Sequence, residues 1–310
     1  MAISRSQLVK ELEPGLNALF GMEHARYDNE WSQIFATENS DRAFEEEVEL
    51  SGFGNAKTKA EGESVEFDDA QEAFTSRYTH ETVALAFSIT EEAVEDNLYD
   101  SLSSRYTKAL ARSMANAKEV KGANVLNRAF NSSYTGGDGL ELCSTAHITV
   151  AGGNYKNELT TAADLNETSL EQAMIDIAGF IDNRGLKVAV KARKMIIPVN
   201  LQFIAERLLK TDLRVGTADN DINASKSMNV VPEGYTVNHY LSDTDAFFII
   251  TDAPNGLKYF NRAPVKTSME GDFNTGNVKY KARERYSFGW SDPRGIFGSC
   301  LLYTSDAADE

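Results

Sequence analysis

The stretch Thr90-Glu-Glu-Ala-Val-Glu-Asp-Asn-Leu-Tyr-Asp-Ser-Leu-Ser-Ser-Arg-Tyr-Thr-Lys-Ala-Leu-Ala-Arg-Ser-Met114 decides the fold. Thr90 is a helix-capping residue, and Glu91 and Glu92 put negative charge in the first turn, where the helix dipole favours it. Val94, Leu98, Leu102, Tyr106, Leu110 and Met114 then recur at every fourth position. That spacing slightly exceeds one helical turn, so the apolar stripe winds slowly around the rod. The pattern runs to about Phe130, with Gly122 its one weak point. At 1.5 Å per residue it spans on the order of 60 Å, long for a compact domain. It reads as a spine, and no second helix of comparable length is evident to pair with it in a bundle.

Before the spine, Phe44, Val48 and Leu50 are separated by Glu45, Glu46, Glu47 and Glu49, an alternation that reads as a strand. A polar stretch, Ser51 to Gly62, carries Lys57 and Lys59, with glycines at 52, 54 and 62. Alternation resumes at Val65 and Phe67 and again through Val83, Leu85, Phe87 and Ile89, which predicts a protruding acidic β-hairpin with a long tip. Such a limb buries little by itself and is expected to lie on a partner. Met1 to Asp41 reads as an extended arm with one or two short helices, broken at Pro14-Gly15 and at Gly21 and lacking a core of its own.

After the spine, Asn131 to Thr161 is turn-rich. Thr168-Ser-Leu-Glu171 has the form of a capping box opening a helix that ends near Gly185. A strand over Leu186–Val199, a helix from about Asn200 to Lys210, an exposed loop at Asp219–Ala224 and a buried strand at Ala246–Thr251 complete an α/β section. From Gly256 to Ser299 the chain reads mainly as strands. In one of them Val278, Tyr280 and Ala282 share a face, opposite Lys279, Lys281, Arg283 and Arg285. The last eleven residues, Cys300 to Glu310, resemble residue for residue the translation of a transposase sequencing adapter and are expected to be a library artefact.

The net charge of -16 disfavours nucleic-acid binding, because affinity for phosphates comes mainly from Lys and Arg. Two cysteines imply no disulfide framework, which suits a reducing cytoplasm. Residues Met1–Lys10 have no apolar core of a signal peptide, and no run reaches the roughly 18 apolar residues of a membrane helix. There is no phosphate-binding loop, no dinucleotide motif and no Gly-x-Ser-x-Gly elbow. His24, His80, His147 and His239 are far apart. Cys143 with His147 is a weak candidate for a thiolate pair, and His80-Glu81 reads as a polar step on the hairpin. No catalytic residue, metal site or cofactor is expected.

The anionic limb and the cationic strand suit one another. Charge complementarity of this kind fixes register and partner choice. The expectation is that the limb of one subunit, anionic through Glu45, Glu46, Glu47 and Glu49 with Glu61, Glu63, Glu66, Asp68, Asp69 and Glu72, lies across Lys279, Lys281, Arg283 and Arg285 of its neighbour, with Lys57 and Lys59 at its tip as further candidate contacts. A solvated strand face beside an ordinary acidic loop is the plain alternative.

The order of arm, hairpin, spine, α/β lobe and returning strands resembles the major capsid proteins of tailed phages, the Hong Kong-97 type. Asp41-Arg-Ala-Phe-Glu45, Tyr78-Thr-His-Glu-Thr82, Phe87-Ser-Ile-Thr-Glu-Glu-Ala-Val94 and Glu284-Arg-Tyr-Ser-Phe-Gly-Trp290 look like stretches of major head proteins of marine and Mu-type phages. The resemblance implies an α+β fold with an N-terminal arm (1–43), an E-loop hairpin (44–80), a P-domain with the spine helix (81–165), an A-domain (166–254) and P-domain return strands (255–299). It implies hexamers and pentamers of an icosahedral head, assembled in the host bacterial cytoplasm, that encloses double-stranded DNA without sequence-specific binding. Scaffold, portal and decoration proteins would be the other partners. Some members crosslink a hairpin lysine to an asparagine of the next subunit; Lys57 or Lys59 would be the candidate, but no partner asparagine is identified and crosslinking is left open. An encapsulin-like cargo shell and a soluble α/β hydrolase or ligand-binding protein are the competing readings.

Overall fold

The structure is a computed structural model that describes residues 5–90, 92, 99–213, 221–272 and 275–300. The central element is a helix (α2, Tyr99–Asn127) whose buried face carries Ser103, Thr107, Leu110, Ala111, Met114, Ala123 and Leu126. The sequence stripe and this face agree at Leu110 and Met114 and part company at Tyr106, which is half exposed against Phe87. Small polar residues take the inner positions there. The N-terminal part of the predicted helix, Glu91 and Ala93 to Leu98, lies outside the described residues.

The arm departs from its expected form. A single helix (α1, Arg5–His24) runs through Pro14, Gly15 and Gly21 and packs along α2. An interior proline costs a helix about 3 kcal/mol. Leu16 and Phe20 supply the opposing stabilisation by burying against Leu110, Ala111, Met114, Tyr280 and Ala282. The spine therefore does have a helical neighbour, and the arm contributes to a core.

A four-stranded sheet lies under these helices in the order β1 (Ala36–Asn39), β10 (Leu257–Gly271), β11 (Val278–Trp290), β4 (Glu81–Ile89). β1 runs parallel to β10, and the other pairs are antiparallel. Alternation along β11 sets its two faces: Tyr280, Ala282, Glu284 and Tyr286 are buried, and Lys279, Lys281 and Arg283 point away. Opposite those cations β4 places Ser88, Ala86 and Ala84, side chains too short to cover them.

The hairpin is built from β2 (Phe44–Leu50) and β3 (Glu72–Thr79). Val65 and Phe67, expected in its second strand, lie in the irregular loop and are exposed, and Val83–Ile89 belongs to the large sheet. The reason lies in β3: Tyr78 packs edge-on to Phe260, and the returning strand begins at Glu72, seven positions after Val65 where the alternation placed it. A two-stranded ladder, β5 (His147–Ile148) with β6 (Asn154–Tyr155), interrupts the turn-rich segment.

The lobe has a second sheet in the order β12 (Ile296–Ser299), β9 (Phe247–Thr251), β7 (Ala192–Ile197), β8 (Tyr235–Val237). Helices α3 (Glu167–Ala178) and α4 (Gln202–Lys210) and the short α5 (Ala224–Ser227) accompany it. The capping box of α3 starts two residues before the expected one. Asn166 accepts from Ser169 N–H, and Ser169 Oγ in turn accepts from Asn166 N–H. The helix stops at Ala178, seven residues before Gly185, whose φ of +81° serves a separate turn. The lobe core joins Leu170, Ile177 and Phe180 to Met195, Ile197, Phe247 and Ile249. A second cluster, from Ile34 and Phe35 through Leu126 and Leu142 to Phe248 and Tyr259, links the lobe to the large sheet.

Candidate assembly surfaces

The hairpin root is tied down inside its own chain. Glu47 pairs with Lys258 at 2.5 Å and accepts from Ser291, and Glu49 pairs with Arg294 at 2.8 Å. Burial pushes the Glu49 carboxyl above its ordinary range, and Arg294 works against that shift. Burial alone would lower Lys258, but its pairs with Glu47 and Glu38 outweigh it and the net shift is upward. Glu45 accepts from Ser40 Oγ at 2.6 Å, and Glu46 lies 3.7 Å from Arg77. At the tip, Lys57 pairs with Glu66 at 2.7 Å, while Lys59 has no ion pair among the described residues.

Beyond the root the loop exposes large apolar side chains: Leu50, Phe53, Val65 and Phe67, the last 94% exposed. One anchor holds this segment to the lobe, where Asp68 accepts Gly54 N–H and pairs with Arg184.

The predicted cationic strip is in place. Lys281 and Arg283 are exposed and have no ion pair among the described residues; Lys266, opposite Arg283, extends the patch on β10. Lys279 pairs with Asp272 at 2.6 Å, and Arg285 reaches the carbonyl of Ala43 at 3.5 Å. Among the described residues, the hydrogen bond between the hairpin root and the strip is that of Arg285 with Ala43.

A polar joint couples α2 to the segment after the arm helix. Lys118 Nζ lies 2.5 Å from Glu284, a carboxylate only 1% exposed, and within 5.1 to 5.9 Å of the Trp31, Tyr259 and Tyr286 rings. Burial raises the Glu284 carboxyl and Lys118 opposes this. The next residue, Glu119, accepts the N–H groups of Glu30 and Trp31 at 2.9 and 3.1 Å. Glu30 in turn holds His239 through both its N–H and Nδ1. Sequence reasoning missed this joint because its partners are remote in the chain, and its residues carry no local spacing that would mark them.

A model of the family described as phage capsid protein matches residues 72–299. The chain belongs to that family. No curated protein matches it. Solved structures with a similar fold include the capsid of cyanophage P-SCSP1u, with 10% identity, a TM-score of 0.53 and 87% of each chain covered. The capsid of Myoviridae phage XM1 gives 12% identity and a TM-score of 0.50 over 86% of this chain and 90% of that one. A chain of Microbacterium phage Oxtober96 gives 9% and 0.50 over 87% and 90%. At such identities the likeness shows the fold, and the family match supplies the role: this is a structural capsid protein, and the hydrolase reading is not favoured.

The weak catalytic candidates of this capsid protein are spent on structure. The Cys143 thiol is fully buried beside Gly298, Phe130 and Phe248, and burial raises it well above its usual value. His147 bonds Asp138 at 2.5 Å and Asn157 at 3.1 Å, a partner set that ties the turn-rich segment to the chain end. The Asn157 amide also donates to the carbonyls of Leu142, Pro293 and Ile296. His80 bridges Ser287 and Ser40, which makes it a strut between β11 and the hairpin root.

Proposed function

We propose that this capsid protein is the major head subunit of a tailed phage of the Hong Kong-97, Mu-like kind, self-assembling into hexamers and pentamers of an icosahedral shell around double-stranded DNA. The residue ranges 1–43, 44–80, 81–165, 166–254 and 255–299 would then serve as N-arm, E-loop, spine-bearing P-domain, A-domain and return strands. Assembly in the bacterial cytoplasm with scaffold, portal and decoration proteins belongs to the same reading. One observation supports it beyond family membership: Lys281 and Arg283 are exposed and have no ion pair among the described residues, while the acidic limb leaves Phe53, Val65 and Phe67 to solvent. The strip takes the acidic limb of a neighbour, Lys281 and Arg283 being its uncommitted centre. Glu46 and the tip lysines are exposed, whereas Glu47 and Glu49 first hold their own hairpin.

Negative-stain electron microscopy of the purified chain, alone and with a candidate scaffold protein, tests the reading. Rings of five or six subunits, or closed shells, are expected. Charge reversal at Lys281 and Arg283 should abolish them while leaving the monomer folded. A wild-type chain that stays monomeric under both conditions would overturn the shell reading, and normal shells from the reversed variant would remove the strip from it.

A further inference from the structure

The chain crosses from the lobe to the large sheet through the short turn between β9 and β10, Asp252-Ala-Pro-Asn-Gly256. Pro254 presets its first half. Asn255 then takes left-handed backbone, with φ of +59°, a conformation that few residues other than glycine and asparagine adopt readily. The next residue is glycine for a different reason. A Cβ on Gly256 would lie 2.9 Å from the Gly295 Cα, and one on Gly295 would come closer still to the Gly256 Cα, so the two backbones meet with no room for a side chain. Ser291 N–H donates to the Gly256 carbonyl at 3.2 Å and Asp292 N–H to the Asn255 carbonyl at 2.8 Å, which docks the turn on the segment leading into β12. Asp292 also pairs with Arg294, the residue that holds Glu49 of the hairpin root.

Turn geometry and packing together have set asparagine before glycine, and this is the sole Asn-Gly pair in the sequence. Such a pair opens the side-chain amide to attack, because glycine has no Cβ to screen its nitrogen from the neighbouring carboxamide. Asn255 is exposed, and its side chain makes no hydrogen bond among the described residues. The chain supplies its own contrast. Asn229 is also exposed and left-handed, with φ of +49°, but Val230 follows it and brings a branched Cβ to the corresponding nitrogen.

We propose that Asn255 is a site of spontaneous modification, at which the Gly256 nitrogen closes on the side-chain carboxamide and the crossing between lobe and sheet is altered. Hydroxide takes the Gly256 amide proton and the nitrogen attacks Asn255 Cγ. A C–N bond forms, the Cγ–Nδ2 bond breaks, and ammonia leaves with a proton from water. Water then opens the five-membered imide at either carbonyl. The net change is amide plus water to carboxylic acid plus ammonia, with no redox step. Opening at Cγ gives aspartate; opening at the main-chain carbonyl gives isoaspartate, in which the backbone runs through the former side chain and is longer by a methylene. Either product puts a carboxylate beside Asp292. Isoaspartate also moves the carbonyl that Asp292 N–H reaches, and so loosens the Gly256–Gly295 contact.

The test ages the full chain at mildly alkaline pH and maps it by peptide mass spectrometry, with the capped peptide Ala253–Leu257 as reference. Asn255 should gain the mass of amide-to-acid exchange at a rate within about tenfold of the peptide's, since exposed turns open at little cost. Asn229 should remain an amide over the same time. Labelling by an isoaspartyl methyltransferase identifies the lengthened product. Asn255→Gly keeps the left-handed turn and removes the amide, so no change is expected there. Gly256→Ala is unsuitable, because its Cβ would meet Gly295. Relative to fresh samples, the aged wild type should unfold at lower guanidinium, and the aged Asn255→Gly chain should not. A rate at Asn255 more than about tenfold below the peptide's, or no greater than at Asn229, overturns the proposal. Equal losses of stability in the two aged chains would overturn its structural half, because the product would then leave the crossing intact.

Discussion

The joint around Lys118 and the loop between β2 and β3 treat their side chains in opposite ways. At the joint a buried carboxylate has a cation, the cation has three aromatic rings around it, and the adjacent Glu119 answers two backbone donors. In the loop Phe53, Val65 and Phe67 face solvent, and one carboxylate ties the segment down. The first region has its charges answered within a single chain; the second leaves large apolar side chains to solvent. Large exposed apolar groups rimmed by charge are what an assembling subunit shows before it assembles. If this contrast is correct, substitutions in the joint should act on folding and substitutions in the loop on association.

The largest effect on folding is expected from Lys118→Met. It leaves Glu284 buried without a cation, which costs about 3–5 kcal/mol. Replacing both members, as Lys118→Met with Glu284→Leu, should restore most of that loss, because the desolvation penalty of the pair disappears with its attraction. Guanidinium unfolding midpoints decide the matter. A single variant as stable as wild type would show that the joint is not a folding element and would blunt the comparison.

A smaller loss is expected from Gly298→Ala in β12. A Cβ there would lie 2.7 Å from Cys143 Sγ and 3.0 Å from both Phe130 and Phe248. Overpacking of this kind costs roughly 1–3 kcal/mol. Cys143→Ala in the same chain should recover part of it by making room, and the two midpoints together test whether the thiol is a packing group and nothing more.

What the sequence shows follows the range of the forces involved. Periodicity made the spine, the cationic face of β11, the helix before Lys210 and the buried strand near Phe248 legible, because each pattern lies within one element. The arm helix was misread at Pro14 and Gly15, since the packing of Leu16 and Phe20 on α2 overrides local helix breakers. The second hairpin strand was misplaced for the same reason: Tyr78 and Phe260 are far apart in sequence and meet only in the fold. Of the candidate contact residues, the cations stand where alternation puts them. That Glu47 and Glu49 are engaged within the chain depends on Lys258 and Arg294, which no spacing connects to them.

Proton linkage at Glu119 should be weaker still. Burial, with Glu30 nearby, lifts its carboxyl to about 7, against opposing bonds from Trp31 and Glu30 and the charge of Lys118. A folded pKa above the unfolded one means that the contribution to stability is fully present below about 4.5 and is lost as pH rises through about 7. The side chain borders a cavity shared with Arg112 and Tyr240, and screening there limits the effect to about 1 kcal/mol. Glu119→Gln should flatten the stability profile between about pH 4.5 and 7 by that amount. An unchanged slope would place the carboxylate in free exchange with solvent and remove it from the joint.

The smallest effect on folding belongs to the loop. Phe53→Ser and Val65→Ser replace side chains that are 61% and 65% exposed, so little apolar area returns to water when they are lost. Unfolding midpoints should stay within about 0.5 kcal/mol of wild type, as for other surface positions. The same pair of substitutions should nonetheless reduce particle yield, because the area they remove is area a neighbour would cover. Stability and assembly measured on one preparation therefore give two numbers that must diverge. A loop variant that loses both together would mean that the loop packs on its own chain in solution, and the division between a finished joint and an unfinished limb would fail at its clearest point.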